Sequence, residues 1–106
     1  MKRVVIFCQT APGGKRRLAE EAFRLSAGLS ATGRFQLDFV LQRGGLLLLE
    51  PEFSGPASAW ESLQSSHTRV WVPSGTSRIL PGLHLHSLPQ ENQEQFIQGA
   101  DLVLRF

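Results

Sequence analysis

The stretch "VVIFCQTAPGG", Val4 to Gly14, decides the fold. Val4 to Cys8 is an unbroken apolar run rich in β-branched residues. A strand with one wet face alternates apolar and polar positions. A run apolar at every position suits a strand buried on both faces, as in a parallel sheet. The turn Pro12-Gly13-Gly14 follows. Leu18, Ala22, Leu25 and Leu29 then recur at helical spacing, as one face of a helix that Thr32-Gly33 ends.

Working outward, Phe35 to Leu41 reads as a second strand, and Gly44-Gly45 opens the run Leu46 to Leu49, stopped by Pro51. "SGPASAWESLQSS", Ser54 to Ser66, reads as a helix with Pro56 in its first turn. Val70 to Val72 is a short strand closed by Pro73, and Thr76 to Leu80 a helical turn before Pro81-Gly82. Leu83 to Leu88 is strand-like, Pro89 to Gln98 a last helix stopped by Gly99, and Leu102 to Leu104 a final strand. Alternating strands and helices predict an α/β three-layer sandwich around an approximately five-stranded, mostly parallel sheet, spanning residues 1–106 as one domain. In such folds sites gather at the carboxyl ends of the strands.

Composition narrows the function classes. Hydrophobic residues make up 42% of the 106, enough for a core. A net charge of +2 is too small to argue for nucleic-acid contact. One cysteine rules out an internal disulfide framework and a multi-cysteine metal site. The apolar runs are too short to span a membrane, and "MKRVVIFCQT" reads as a first strand rather than a signal peptide. The expected setting is the cytoplasm, with no cofactor.

The opening stretch holds three chemical candidates. Aligned on Gly14-Lys15, a phosphate-binding P-loop would need glycine where Gln9 stands and a hydroxyl where Arg16 stands, so both ends fail. Lys15, Arg16 and Arg17 sit where the helix macrodipole disfavours cations; they read as a solvated turn softened by Arg16–Glu20 and Arg17–Glu21 pairs. Cys8 ends the first strand, at the edge suited to a site. Its apolar company marks it as a structural cysteine and a minor thiol at most.

Elsewhere, Leu46, Leu47, Leu48 and Leu49 would be apolar all round if helical, more than a small domain can bury. They are candidate partner contacts, with at least two of the four expected to face a partner; Phe53 and Trp60 are candidate anchors left open between interface and core, and Trp71 is assigned to the core. His84 and His86 share a strand face as half a metal site. With His67 the only other histidine, a surface or contact role is favoured and no metal is assigned. Glu91 and Glu94 read as a solvated helix face, and no hydrolase elbow is present.

"MKRVVIFCQTAPGG", "FVLQRGGLLLLEPE", "VWVPSGTSRILPGL" and "GADLVLRF" together resemble the DsrE/DsrF-like family, and within it the TusC/DsrF subunit. The resemblance runs over nearly the whole chain. It implies a flavodoxin-like (DsrE-like) fold. It also implies a heterohexamer with TusB/DsrH-like and TusD/DsrE-like subunits that relays sulfur as a cysteine persulfide, toward the tRNA wobble uridine or, in the Dsr counterpart, in dissimilatory sulfur oxidation. The family's persulfide cysteine follows the strand that matches Val70 to Val72. Here that position reads Pro73-Ser74-Gly75, without a thiol. A relay needs a thiolate that attacks and is attacked in turn. No catalytic residue therefore carries over, and the chain reads as a noncatalytic scaffold subunit, with a sulfur carrier at Cys8 as the alternative.

Overall fold

A computed structural model of the chain describes residues 1–50, 60–76, 84–88 and 90–106. The elements run β1 (Lys2–Cys8), α1 (Leu18–Thr32), β2 (Phe35–Leu41), a 3-10 helix (Arg43–Leu49), a 3-10 turn (Ser62–Gln64), β3 (Thr68–Pro73), β4 (Leu85–Leu88), a 3-10 turn (Gln90–Asn92), α2 (Gln93–Ile97) and β5 (Leu102–Arg105). The five strands form one sheet in the order β4-β3-β2-β1-β5, and every pairing is parallel. The expected α/β class and sheet are therefore present, all-parallel where mostly parallel was predicted. Phe53, most of the Ser54–Ser66 helix and the turn after Thr76 lie outside the described residues.

The order places β1 and β2 inside the sheet. Both are buried from their third residue onward, on both faces, as the unbroken apolar run requires. One face carries the larger core: Val4, Ile6, Leu37, Phe39, Leu41, Val70 and Val72 pack under α1 and the 3-10 helix. The other carries Val5, Phe7, Val40 and Leu88, covered by Phe96, Ile97, Ala100, Val103 and Trp71. Among the described residues that second cover is thin, because α2 has only five residues.

Helix α1 departs from its predicted face. Ala19, Ala22, Ser26 and Ser30 are its buried residues, while Leu25 is 37% exposed and Leu29 packs from the side. The reason is size: small residues let the helix axis approach the sheet, and the leucines splay to its flanks. Ser30 also has polar partners below, since its hydroxyl donates to the Ser62 carbonyl and lies 2.7 Å from Thr68 Oγ1. Gly33 stops the helix in the left-handed region (φ 66°), as predicted. The basic turn pairs differently too: Arg17 reaches Glu20 at 3.5 Å and Arg24 reaches Glu21 at 3.2 Å. Glu20 Oε2 also accepts the Gly13 N–H at 2.9 Å, which ties the turn to the helix. Lys15, Arg16 and Arg17 are exposed.

A carboxylate lies inside the sheet. Asp38 is 2% exposed on β2. Its Oδ2 accepts from Arg3 Nε on β1 at 2.9 Å, and its Oδ1 accepts from Trp71 Nε1 on β3 at 2.9 Å. A buried charge is tolerated when it is paired and hydrogen-bonded. Trp71 is half-buried over this clamp, edge-on to Phe96 with ring centroids 5.0 Å apart, and the Arg3 guanidinium sits 4.9 Å from the same Phe96 ring. Removing one member of a buried pair leaves the others desolvated and unpaired. Asp38→Ala is expected to cost about 3 kcal/mol in urea unfolding, and Asp38→Asn, which can still accept from the indole, clearly less. A loss below about 1 kcal/mol for the alanine variant would contradict the clamp.

Candidate functional site

The carboxyl ends of the strands converge on one crevice. It encloses about 190 Å³ and is lined by Gln9, Gln42, Arg43, Pro73, Leu88 and Gln93. Gln9 follows β1, Gln42 follows β2, Pro73 and Leu88 end β3 and β4, and Gln93 opens α2. This is where the fold class places a site. Gln9 Nε2 donates to Gln42 Oε1 at 3.0 Å across the floor. The backbone holds the floor rigid: the Gln9 N–H donates to the Phe106 carbonyl and the Gln42 N–H to the Cys8 carbonyl, both at 2.9 Å. The glutamines are the residues sequence reasoning missed. Their signal was positional, since Gln9 and Gln42 are the first polar residues after two buried strands.

After β3 the chain turns tightly. Thr76 caps the turn, with its Oγ1 donating to the Pro73 carbonyl at 2.7 Å and its N–H donating to the same oxygen at 3.2 Å. Ser74 and Gly75 are exposed at its tip, and Gly75 takes φ 86°. Of this turn only Pro73 lines the crevice, and the turn holds no thiol. Chemically the crevice offers amides and one guanidinium, a set that binds polar groups and supplies no nucleophile.

Cys8 lies just beneath. Its side chain is fully buried, and its Sγ sits 3.6 Å from the Thr10 carbonyl oxygen. Burial pushes the thiol up to about 11, against a smaller opposite pull from the Thr10 backbone; the Glu20 carboxylate adds a lesser push upward. At neutral pH the thiolate is about one part in ten thousand, so Cys8 is neither ionised nor reachable. Gly44 and Gly45 press the 3-10 helix onto this corner. A Cβ on Gly44 would stand 2.7 Å from the Ala11 nitrogen, and one on Gly45 would run into the Cys8 carbonyl.

The predicted contact residues divide. Leu48, Leu49 and Trp60 are buried within the chain, so these three are core rather than partner contacts; Trp60 packs edge-on against Phe23 at 4.7 Å. The 3-10 helix turns Leu48 and Leu49 toward the core and leaves Leu46 and Leu47 half-buried. Phe53 lies outside the described residues. Among the described residues, no three His, Cys, Asp or Glu side chains gather as a metal cluster, and no helix is long and apolar enough to cross a membrane.

Among solved structures, the ychN protein from E. coli superposes with a TM-score of 0.73 at 21% sequence identity, covering 100% of this chain and 100% of that one. The likeness shows the fold alone, an α/β, flavodoxin-like arrangement around a five-stranded parallel sheet. No family model matches the chain, and no curated protein matches it.

Two outcomes follow from the Cys8 corner. Gly45→Ala must displace backbone rather than a flexible side chain, so it is expected to cost about 3 kcal/mol, the upper end of overpacking, in thermal or urea unfolding. A neutral effect would show that the corner is looser than described. The raised Cys8 pKa contributes stability that is fully present below the unfolded thiol's value of 9.0 and is lost as pH rises toward about 11. The two-unit gap sets the loss at about 2–3 kcal/mol. Unfolding measured from pH 8 to 11 should therefore fall more steeply in the wild-type chain than in Cys8→Ala; parallel curves would contradict a buried thiol.

Proposed function

We propose that this chain is a noncatalytic scaffold subunit of a heteromeric sulfur-relay complex in the cytoplasm, working toward thiolation of the tRNA wobble uridine. Its partners in this reading are TusB/DsrH-like and TusD/DsrE-like subunits, arranged as a heterohexamer. The resemblance of "FCQTAPGG", "VWVPSGT" and "ADLVLRF" to the DsrE/DsrF-like family supports it, and the DsrE-like fold agrees.

One observation carries the noncatalytic part. The turn where the family's relay cysteine stands is Pro73-Ser74-Gly75, and the chain's sole cysteine is buried at the carboxyl end of β1. A persulfide forms when a thiolate attacks a donor sulfur. Neither a proline ring nor a serine hydroxyl holds a transferable sulfane sulfur, and Cys8 is neutral and enclosed. What the chain offers a partner is shape: a rigid crevice floor beside a half-exposed leucine pair on the 3-10 helix.

The test is to purify the assembly from its own cells, treat it with a persulfide donor and weigh every subunit. A sulfur-mass adduct is expected on a partner and not on this chain. An adduct here that disappears in Cys8→Ser would replace the scaffold with a carrier. Leu47→Asp is expected to lose co-purifying partners while changing stability by about 1 kcal/mol or less, since Leu47 is only half-buried. An intact complex would remove this helix from the interface.

A further inference from the structure

On the sheet face that carries Trp71 and Phe96, two imidazoles stand side by side. His84 immediately precedes edge strand β4 and is exposed; His86 lies on β4 and is half-buried. Their ring centroids are 4.8 Å apart. His86 in turn lies 5.0 Å from the Trp71 ring. Among the described residues β4 is one edge of the sheet.

We propose that His84 and His86 form a bidentate site for a borderline divalent transition-metal ion, of the nickel, copper and zinc class, with its other positions open to water. The spacing carries this. A metal bound by two imidazoles at about 2.0–2.1 Å needs nitrogens about 3 Å apart on neighbouring vertices. Residues i and i+2 of a strand share a face. From 4.8 Å between centroids, rotation about χ2, a soft torsion in histidine, brings the nitrogens to that distance.

Ligand chemistry selects the ion class, since imidazole suits nickel, copper and zinc and not magnesium or calcium. Among the described residues no third His, Cys or carboxylate joins the pair in a cluster, which separates it from a closed four-ligand structural zinc site. Asp38 itself is occupied by Arg3 and Trp71, so it holds the wall behind the site and is not a ligand.

Trp71 makes the site readable. A paramagnetic ion on His86 lies within range to quench the Trp71 indole, whereas Trp60 is buried on the opposite face of the sheet. The experiment titrates the untagged full-length chain with Ni²⁺, in buffer containing excess Mg²⁺, and follows both heat and tryptophan emission. One equivalent of Ni²⁺ should bind and quench part of the emission, and the effect should vanish below the histidine titration range. Losing one arm of a chelate removes its local-concentration advantage, so His84→Ala and His86→Ala should each weaken binding by about a hundredfold. His67→Ala should leave it unchanged. Because His84 is exposed, its variant leaves the core untouched and remains decisive even if His86→Ala disturbs Trp71. The proposal is overturned if the wild-type chain neither binds nor is quenched, if His84→Ala binds as the wild type does, or if His67→Ala abolishes binding.

Discussion

The carboxylate of Asp38 is the constraint on which the thinly covered half of this protein depends. An all-parallel sheet needs cover on both faces, because both sides of its inner strands are dry. Among the described residues, one face has a fifteen-residue helix and a 3-10 helix above it; the other has a five-residue helix. Apolar burial alone is scarce there. Asp38 compensates by joining adjacent strands through their side chains, with Arg3 on β1 and Trp71 on β3. Arg3 and Trp71 then hold Phe96, so the clamp also seats the short helix. Arg105 does the same on the far side, its guanidinium 4.5 Å from the Phe7 ring centroid. Cations and ring faces thus replace part of the missing aliphatic cover.

The thick face solves the opposite problem, which is crowding. Small residues on α1 lower the helix onto the sheet, and Gly44-Gly45 lower the 3-10 helix onto the end of β1. These approaches share the loop after Cys8, and that loop is also the crevice floor. The site's rigidity is therefore a by-product of packing: the Cys8 carbonyl accepts from Gln42, and a side chain at position 45 would strike that same carbonyl. Any change that loosens the corner moves Gln42, and through its hydrogen bond Gln9 as well.

Strands were legible wherever the pattern was unambiguous. Phe35–Leu41 was read to the residue, and β1 differs only by two polar residues at its start, which pairing with β2 recruits. The buried face of α1 was not legible from hydrophobicity, because Leu25 is more apolar than Ser26, yet Ser26 is the one inside. Distance of approach outweighed side-chain transfer energy, and distance is a property of the assembled layers. Trp60 was undecidable for a similar reason: its partner Phe23 lies on α1, and no local spacing connects them. Asp38 was in plain view within "FQLDFVL". A charge inside a strand buried on both faces needs polar partners, but the sequence does not name them: Arg69 on β3 is in register with Asp38, yet Arg3 on β1, two residues out of register, makes the ion pair.

The same packing logic bears on the thiol. In this fold a residue at the end of a parallel strand stands beside the crevice, and side chains alternate between facing the thick core and the thin face. Cys8 takes the thick-core parity, with Ile6 and Val4, so it points beneath α1 rather than into the open. Its position in the chain suggests a site; its parity denies one. Gly45 then closes the remaining approach, because only a glycine lets the 3-10 helix sit against the Cys8 carbonyl and sulfur. To turn Cys8 into a reactive group would require slipping β1 by one residue, which would also send Val5 and Phe7 to the thick side and bring Ile6 and Val4 out of it. The cost of that exchange is the core itself, so the burial of Cys8 is fixed by the packing of the sheet.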